Sequence, residues 1–229
     1  MTGLTRFIKS SLGAKFVMAT TGIALVGFLV VHLAGNFNMF LGQKAMNDYA
    51  LFLKRDVGKA LWLLRFGLLG AVLLHILSAI RLVALNSEAK PQRYAVENYK
   101  SSTYASRTMR WSGLIVLSFI IYHLLHFTLG VTNPEHFALE WKGHHDVYNM
   151  TVLGFQNVIV SGFYIIAQVL LAMHLSHGIS SLFQSLGLNN SSYRDFFKKV
   201  GPAIATALCI GFVSIPISVL LGFIKYVQN

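Results

Sequence analysis

The sequence predicts an all-α integral membrane protein with five transmembrane helices, and three observations carry that prediction. Of 229 residues, 55% are hydrophobic and only 12% charged, about half the charged share of an average soluble domain. The mean hydropathy is +0.58. The apolar residues gather into five long runs, each able to supply the roughly 20 residues that a spanning helix needs. Those runs are continuous rather than the short alternating segments of a membrane β-barrel, so a barrel is excluded.

The first span, about 16–40, runs from Phe16 to Phe40 without a charge. It is too long for a signal-peptide core and lacks a small-residue cleavage site, so it is expected to be retained. The second, about 60–84, is interrupted only near its ends, by Arg65 and Arg81. The third is about 111–131, the fourth about 150–183 and the fifth about 201–225, with Pro216 taken as the only proline inside a span. Residues 1–229 are expected to form a single membrane domain. Trp62, Trp111 and Trp141 fall at or near span ends, where indoles favour the interface.

Lysine and arginine set the orientation. The amino-terminal tail and the second-to-third and fourth-to-fifth connections together hold twelve, against seven on the opposite side. The amino terminus is therefore expected in the cytoplasm and the carboxy terminus outside. The loop VTNPEHFALEWKGHHDVYNM after the third span, with three acids against one lysine, agrees. The basic connection 82–110 suits anionic lipid headgroups and a docking floor for a cytoplasmic partner. The net charge of +11 thus serves membrane topology, and no nucleic-acid partner is expected.

Ionisable groups inside a span are costly and by default mark a functional site. The first span carries His32 (FLVVHLAGN) and the second His75 (AVLLHILSAIRL). The third carries His123 and His126 (SFIIYHLLHFTLG), the fourth His174 and His177 (LLAMHLSHGI), and the fifth none. Because successive spans alternate in direction, depth can be read from position. His32 lies about 12 Å before the outer end of the first span, and His123 at nearly the same depth in the third. His75 lies about 9 Å under the cytoplasmic face, and His174 falls in the inner half of the fourth. The result is an outer pair, His32 with His123, and an inner pair, His75 with His174.

Two imidazoles facing each other from different helices at one depth are what a six-coordinate haem b needs, the porphyrin supplying the other four nitrogens. With Cys209 the only cysteine and no C-x-x-C-H, such a haem would be non-covalent. A disulfide, an iron–sulfur cluster and a cysteine-held zinc site within this chain are excluded on the same count. A proton relay would recruit buried Asp or Glu, which the spans almost lack. His126 and His177, each three residues beyond a proposed ligand, are taken as hydrogen-bonders beside the ligands or at the propionates. Arg81, inward of His75, is placed to meet an inner propionate, with snorkelling to the interface as its other use. Thr20, Thr21 and Arg110 are further inner-end candidates. Gly22, Gly27, Gly35, Gly113, Gly154, Gly162 and Gly178 would let a flat macrocycle, or a neighbouring helix, approach the backbone.

These residues make the chain resemble the five-helix, di-haem cytochrome b membrane subunits of succinate:quinone oxidoreductases, the succinate dehydrogenase and fumarate reductase complexes. The resemblance covers nearly the whole chain, on KFVMATTGIALVGFLVVHLAGN, LLHILSAIRL, WSGLIVLSFIIYHLLH and MHLSHGISSLFQ. It implies the same pairing of histidines around two haems b, with His32, His75, His123 and His174 on the irons. It also implies that Gly113, ten residues before His123, selects that histidine over His126. The partners it implies are a flavoprotein subunit that oxidises succinate, an iron–sulfur subunit that passes electrons on, and a quinone, menaquinone, that receives them. The chain would then sit in a bacterial inner membrane with no succinate chemistry of its own, and fumarate reduction in the reverse direction stays open. The two haem centres are expected on the order of 10 Å apart along the membrane normal. The quinone is placed near the outer haem, with Asp48 and Asp56 as acids able to exchange protons with it or simply to solvate the loop. Ala172 stands where some family members carry an acid, which leaves that proton route without its carboxylate. A haem-free transporter and a passive haem-free anchor are the rival readings. The first would need inverted repeats or broken helices, and the second leaves the matched depths unexplained.

Overall fold

Where no water is available, a backbone must pair its own N–H and C=O groups, so long apolar runs close into helices. The computed structural model describes residues 3–89, 108–188 and 193–228, and among them five helices are long and apolar enough to cross a membrane. Helix α1 (Gly3–Lys9) precedes α2 (Ser11–Asn36), whose first turn is capped by the Ser10 hydroxyl accepting the Gly13 N–H. A 3₁₀ turn (Phe37–Leu41), α3 (Gln43–Phe52) and a π-helical turn (Leu53–Val57) lead into α4 (Lys59–Glu88). Helix α5 (Met109–His123) runs on into a second π-helical turn, Leu124–Thr128. After it come α6 (Pro134–Phe137) and a small antiparallel hairpin of β1 (Glu140–Trp141) with β2 (His144–His145). Helices α7 (Val147–Gln156), α8 (Val158–Ser185) and α9 (Arg194–Leu220) follow.

The chain is an all-α integral membrane protein whose spans are α2, α4, α5, α8 and α9. Their outward faces are apolar: Leu63 is 75% exposed and Ile159 84%, which lipid accepts and water would not. Helix α8 packs along α9 and against α5, while α2 packs along α4 and touches α8 and α9. The basic connection 82–110, expected as a docking floor, lies for the most part outside the described residues, as do Lys90, Arg93, Lys100 and Arg107.

Two expectations are corrected. The fourth span, read as one run over about 150–183, is broken at Asn157. That residue is extended (φ -73, ψ 112) and caps α8, its side-chain oxygen accepting the N–H groups of Ile159 and Val160. The apolar pattern hides the break because α7 is as apolar as a span, yet its Tyr148, Met150, Val152 and Phe155 are buried against protein. The fifth helix, Arg194–Leu220, holds Pro202 as well as Pro216, so Pro216 is not the only proline inside a span.

At the end where α2 finishes, the connections form a cap. Asp146, fully buried, accepts hydrogen bonds from Gln43 Nε2 (2.9 Å), Asn47 Nδ2 (2.8 Å), and the backbone N (3.0 Å) and Nδ2 (2.8 Å) of Asn149. Asn149 also exchanges two bonds with the Val227 backbone, and Asn47 Oδ1 accepts the Tyr148 N–H. One carboxylate thus fastens the 3₁₀–α3 segment, the start of α7 and, through Asn149, the carboxy-terminal residues.

Close helix crossings need small residues, and Gly201 of α9 is such a point. A Cβ there would lie 2.6 Å from the Ser176 carbonyl oxygen of α8, and against Ser180 Oγ. Gly201→Ala is expected to weaken this packing by about 1–3 kcal/mol, read as a lower melting temperature in detergent. Gly211→Ala, which meets only the flexible end of Leu33, is the milder control.

Candidate functional site

The outer histidines come together. The rings of His32 on α2 and His123 on α5 have centroids 5.9 Å apart at an interplanar angle of 81°. Metal–imidazole bonds of about 2 Å on both sides of one iron would separate the ring centroids by about 6 Å, so the distance fits a shared iron. Helices α2 and α5 are not among the closely packed pairs, and neither are α4 and α8, which carry the inner histidines. Each histidine pair is therefore presented by two helices that stand apart, as a flat group wedged between them requires. Phe28 stacks on His32 at 5.2 Å, and Phe119 lies beside His123 at 5.8 Å.

Directly after His123 the helix loosens into the π-helical turn, a feature frequent at functional sites. It leaves His126 only 3% exposed, stacked on Phe127 at 3.9 Å. The Tyr164 hydroxyl of α8 lies 3.1 Å from His126 Nδ1 and 3.4 Å from His123 Nδ1. Having one proton, it can donate to only one of the two rings. Gly154 backs the cluster: a Cβ there would come within 3.0 Å of His126 Nε2. Tyr164 was not among the expected site residues. Its only signal in the sequence was a phenol set in an apolar span.

At the inner level, His75 Nδ1 lies 3.1 Å from Thr21 Oγ1, and His174 Nδ1 lies 3.2 Å from Ser112 Oγ. Gly22 and Gly113 face these rings, each with the histidine Cε1 3.6 Å from where a Cβ would stand. Gly113 thus lies against His174, at the opposite end of α5 from His123. Among the described residues no group of three or more His, Cys, Asp or Glu side chains converges to hold a bare metal ion. What converges is the His32–His123 pair.

The family model of the succinate dehydrogenase/fumarate reductase transmembrane subunit matches residues 86–210, more than half of the chain. The chain belongs to this family. Neither the curated proteins nor the solved structures give a match. As a transmembrane subunit of such a complex, it is a multi-pass membrane protein that anchors other subunits. The matched stretch holds His123, His126, His174 and His177, whereas His32 and His75 precede it.

The remaining expected residues of the transmembrane subunit are more scattered. His177 turns its Nε2 to Ser181 of its own helix at 3.1 Å. Arg81 is half-buried toward the inner end of α4, and Arg110 is exposed. Thr20 is exposed and returns its hydroxyl to carbonyls of its own helix. Asp48 and Asp56 are both exposed on the cap, Asp48 paired with Lys44. The buried acid of that region is Asp146, which in the sequence is one of three acids in a loop.

Proposed function

We propose that this transmembrane subunit holds two haems b and relays electrons from an iron–sulfur subunit through an inner and then an outer haem to menaquinone. A flavoprotein subunit oxidises succinate outside the membrane, and the same path reversed serves fumarate reduction. The observation that carries the reading is the 5.9 Å approach of His32 to His123 from two helices that are not a closely packed pair.

When bound, each haem iron supplies one-electron chemistry, which no side chain of this chain provides. His32 and His123 would hold the outer haem, and His75 and His174 the inner one. Phe28 and Phe119 flank the outer ligands and keep water from them. The Tyr164 hydroxyl steadies His123 and ties it to His126. Arg81 and His177 stand toward the inner end, where propionates call for cationic or hydrogen-bonding partners. The excess of lysine and arginine puts the amino terminus in the cytoplasm of a bacterial inner membrane. The inner pair then faces the catalytic subunits, and the cap lies outside. Menaquinone binds near the outer pair, with Asp48 and Asp56 exposed at that surface to exchange protons.

Co-expression with the flavoprotein and iron–sulfur subunits tests this. The pyridine haemochrome of the purified complex is expected to give about two b haems per chain, both reducible through the partner subunits. A fully assembled complex without haem would overturn the reading.

A further inference from the structure

Two spans carry one pattern: Ser or Thr, then Gly, five residues, Phe, three residues, His. On α2 it is Thr21, Gly22, Phe28, His32, and on α5 it is Ser112, Gly113, Phe119, His123. The fold uses both copies in the same way. Each phenylalanine lies beside the histidine one turn further on. About 16 Å away along the helix, each hydroxyl meets a histidine of the next span, Thr21 with His75 at 3.1 Å and Ser112 with His174 at 3.2 Å. Each neighbouring glycine lies along the imidazole edge, a Cβ there standing at the same 3.6 Å from Cε1, an ordinary contact. Since α2 packs on α4 and α5 on α8, the chain builds one half-site twice.

The proton positions follow from the partners. Thr21 Oγ1 lies 2.7 Å from the Val17 carbonyl oxygen, and Ser112 Oγ lies 3.1 Å from that of Met109. A carbonyl can only accept, so each hydroxyl proton points back to its own helix. With the proton so placed, the hydroxyl's lone pair faces the imidazole Nδ1 and accepts its hydrogen; the Met18 carbonyl is a second acceptor beside His75. A neutral ring protonated at Nδ1 has a bare Nε2, the form that binds metal. A serine or threonine that merely satisfies itself inside a helix needs no second partner. That bland role leaves the matched pair of Nδ1 contacts unexplained.

We propose that Thr21 and Ser112 are positioning residues for the inner haem. Each accepts the Nδ1–H of the facing histidine, which fixes the tautomer and ring angle and makes Nε2 a stronger donor. The inference rests on the reading of His75 and His174 as axial ligands. A stronger donor favours ferric over ferrous iron, so losing the bond raises the midpoint potential of the inner haem.

The test uses the complete complex, with the haem content of the wild type measured first. Thr21→Val and Ser112→Ala are each expected to shift the reduction equilibrium of the inner haem upward by roughly three- to tenfold. At 59 mV per decade for one electron that is about 30–60 mV. The outer haem stays where it was. The inner haem is identified as the one that persists in His123→Ala. Thr21→Ser and Ser112→Thr keep a hydroxyl and are expected to retain the wild-type potential, or to restore the haem should Thr21→Val or Ser112→Ala lose it. Unmoved potentials in both hydroxyl-free variants with two haems present would overturn the inference, as would equal disturbance by the hydroxyl-keeping and hydroxyl-free variants. A haem-free wild type would instead defeat the axial-ligand reading beneath it.

Discussion

If the proposed pair of b haems is present, His123→Ala is expected to leave the assembled complex with about half of the wild-type b-haem absorbance after dithionite reduction, and His126→Ala to leave it near the wild-type level. The two residues are three apart in one apolar run, and the structure gives them different surroundings. His123 faces His32 across 5.9 Å. On the proposed two-haem reading, removing it would leave the outer haem one protein ligand instead of two, so that haem is expected to be lost from the complex. His126 is stacked on Phe127, bonded through Nδ1 to Tyr164 and backed by Gly154. Its removal opens a cavity and takes one partner from the Tyr164 hydroxyl, a cost in stability of about 1–3 kcal/mol. It does not remove an axial nitrogen. Full haem content in His123→Ala, or a missing haem in His126→Ala, would reassign the outer ligand.

What could be read from the sequence and what could not divide along a physical line. In lipid, apolar length is the signal for a span, so the five helices were visible. Depth was visible too, because a rise of about 1.5 Å per residue and alternating direction place His32 beside His123 without any knowledge of packing. Rotation about the helix axis was not. A span that is apolar all round carries no periodicity to say which face looks inward, so nothing announced the π-helical turn at Leu124–Thr128 that seats His126 against Tyr164. The same blindness merged α7 with α8, since a helix buried under a cap and a helix in lipid are equally apolar. Gly113 marks His123 by its spacing of ten residues, but what it packs against was not legible: it lies against His174, because ten residues carry a helix about 15 Å along, to the level of the other histidine pair. Thr21 was considered for a propionate and meets His75. Long-range pairs of this kind, like Asn47 with Asp146, exist only once the helices are placed.

Asp146→Ala is expected to be the most destabilising single change in the cap, costing about 3 kcal/mol or more. The carboxylate is fully buried and faces at least four N–H donors from Gln43, Asn47 and Asn149. Hydrogen bonds to a charged group contribute about 1.5–3 kcal/mol each, and truncation removes the shared acceptor of all of them. At about 2–4 °C per kcal/mol for a chain of this size, the melting temperature in detergent should fall by roughly 6–12 °C. Asp146→Asn keeps the shape but turns part of the acceptor into a donor among donors, so it should fall between the alanine variant and the wild type. Asp48→Ala is the control. Its exposed pair with Lys44 contributes no more than about 1 kcal/mol. The cap closes over the cluster containing Phe119, Tyr164 and Phe155, which lines the outer histidines and not the inner ones. Loosening it should therefore admit water at the outer level first, and on warming the Asp146→Ala complex should lose its outer haem before its inner one. Were both haems to leave together at the wild-type temperature, the buried carboxylate would not be what holds the cap closed.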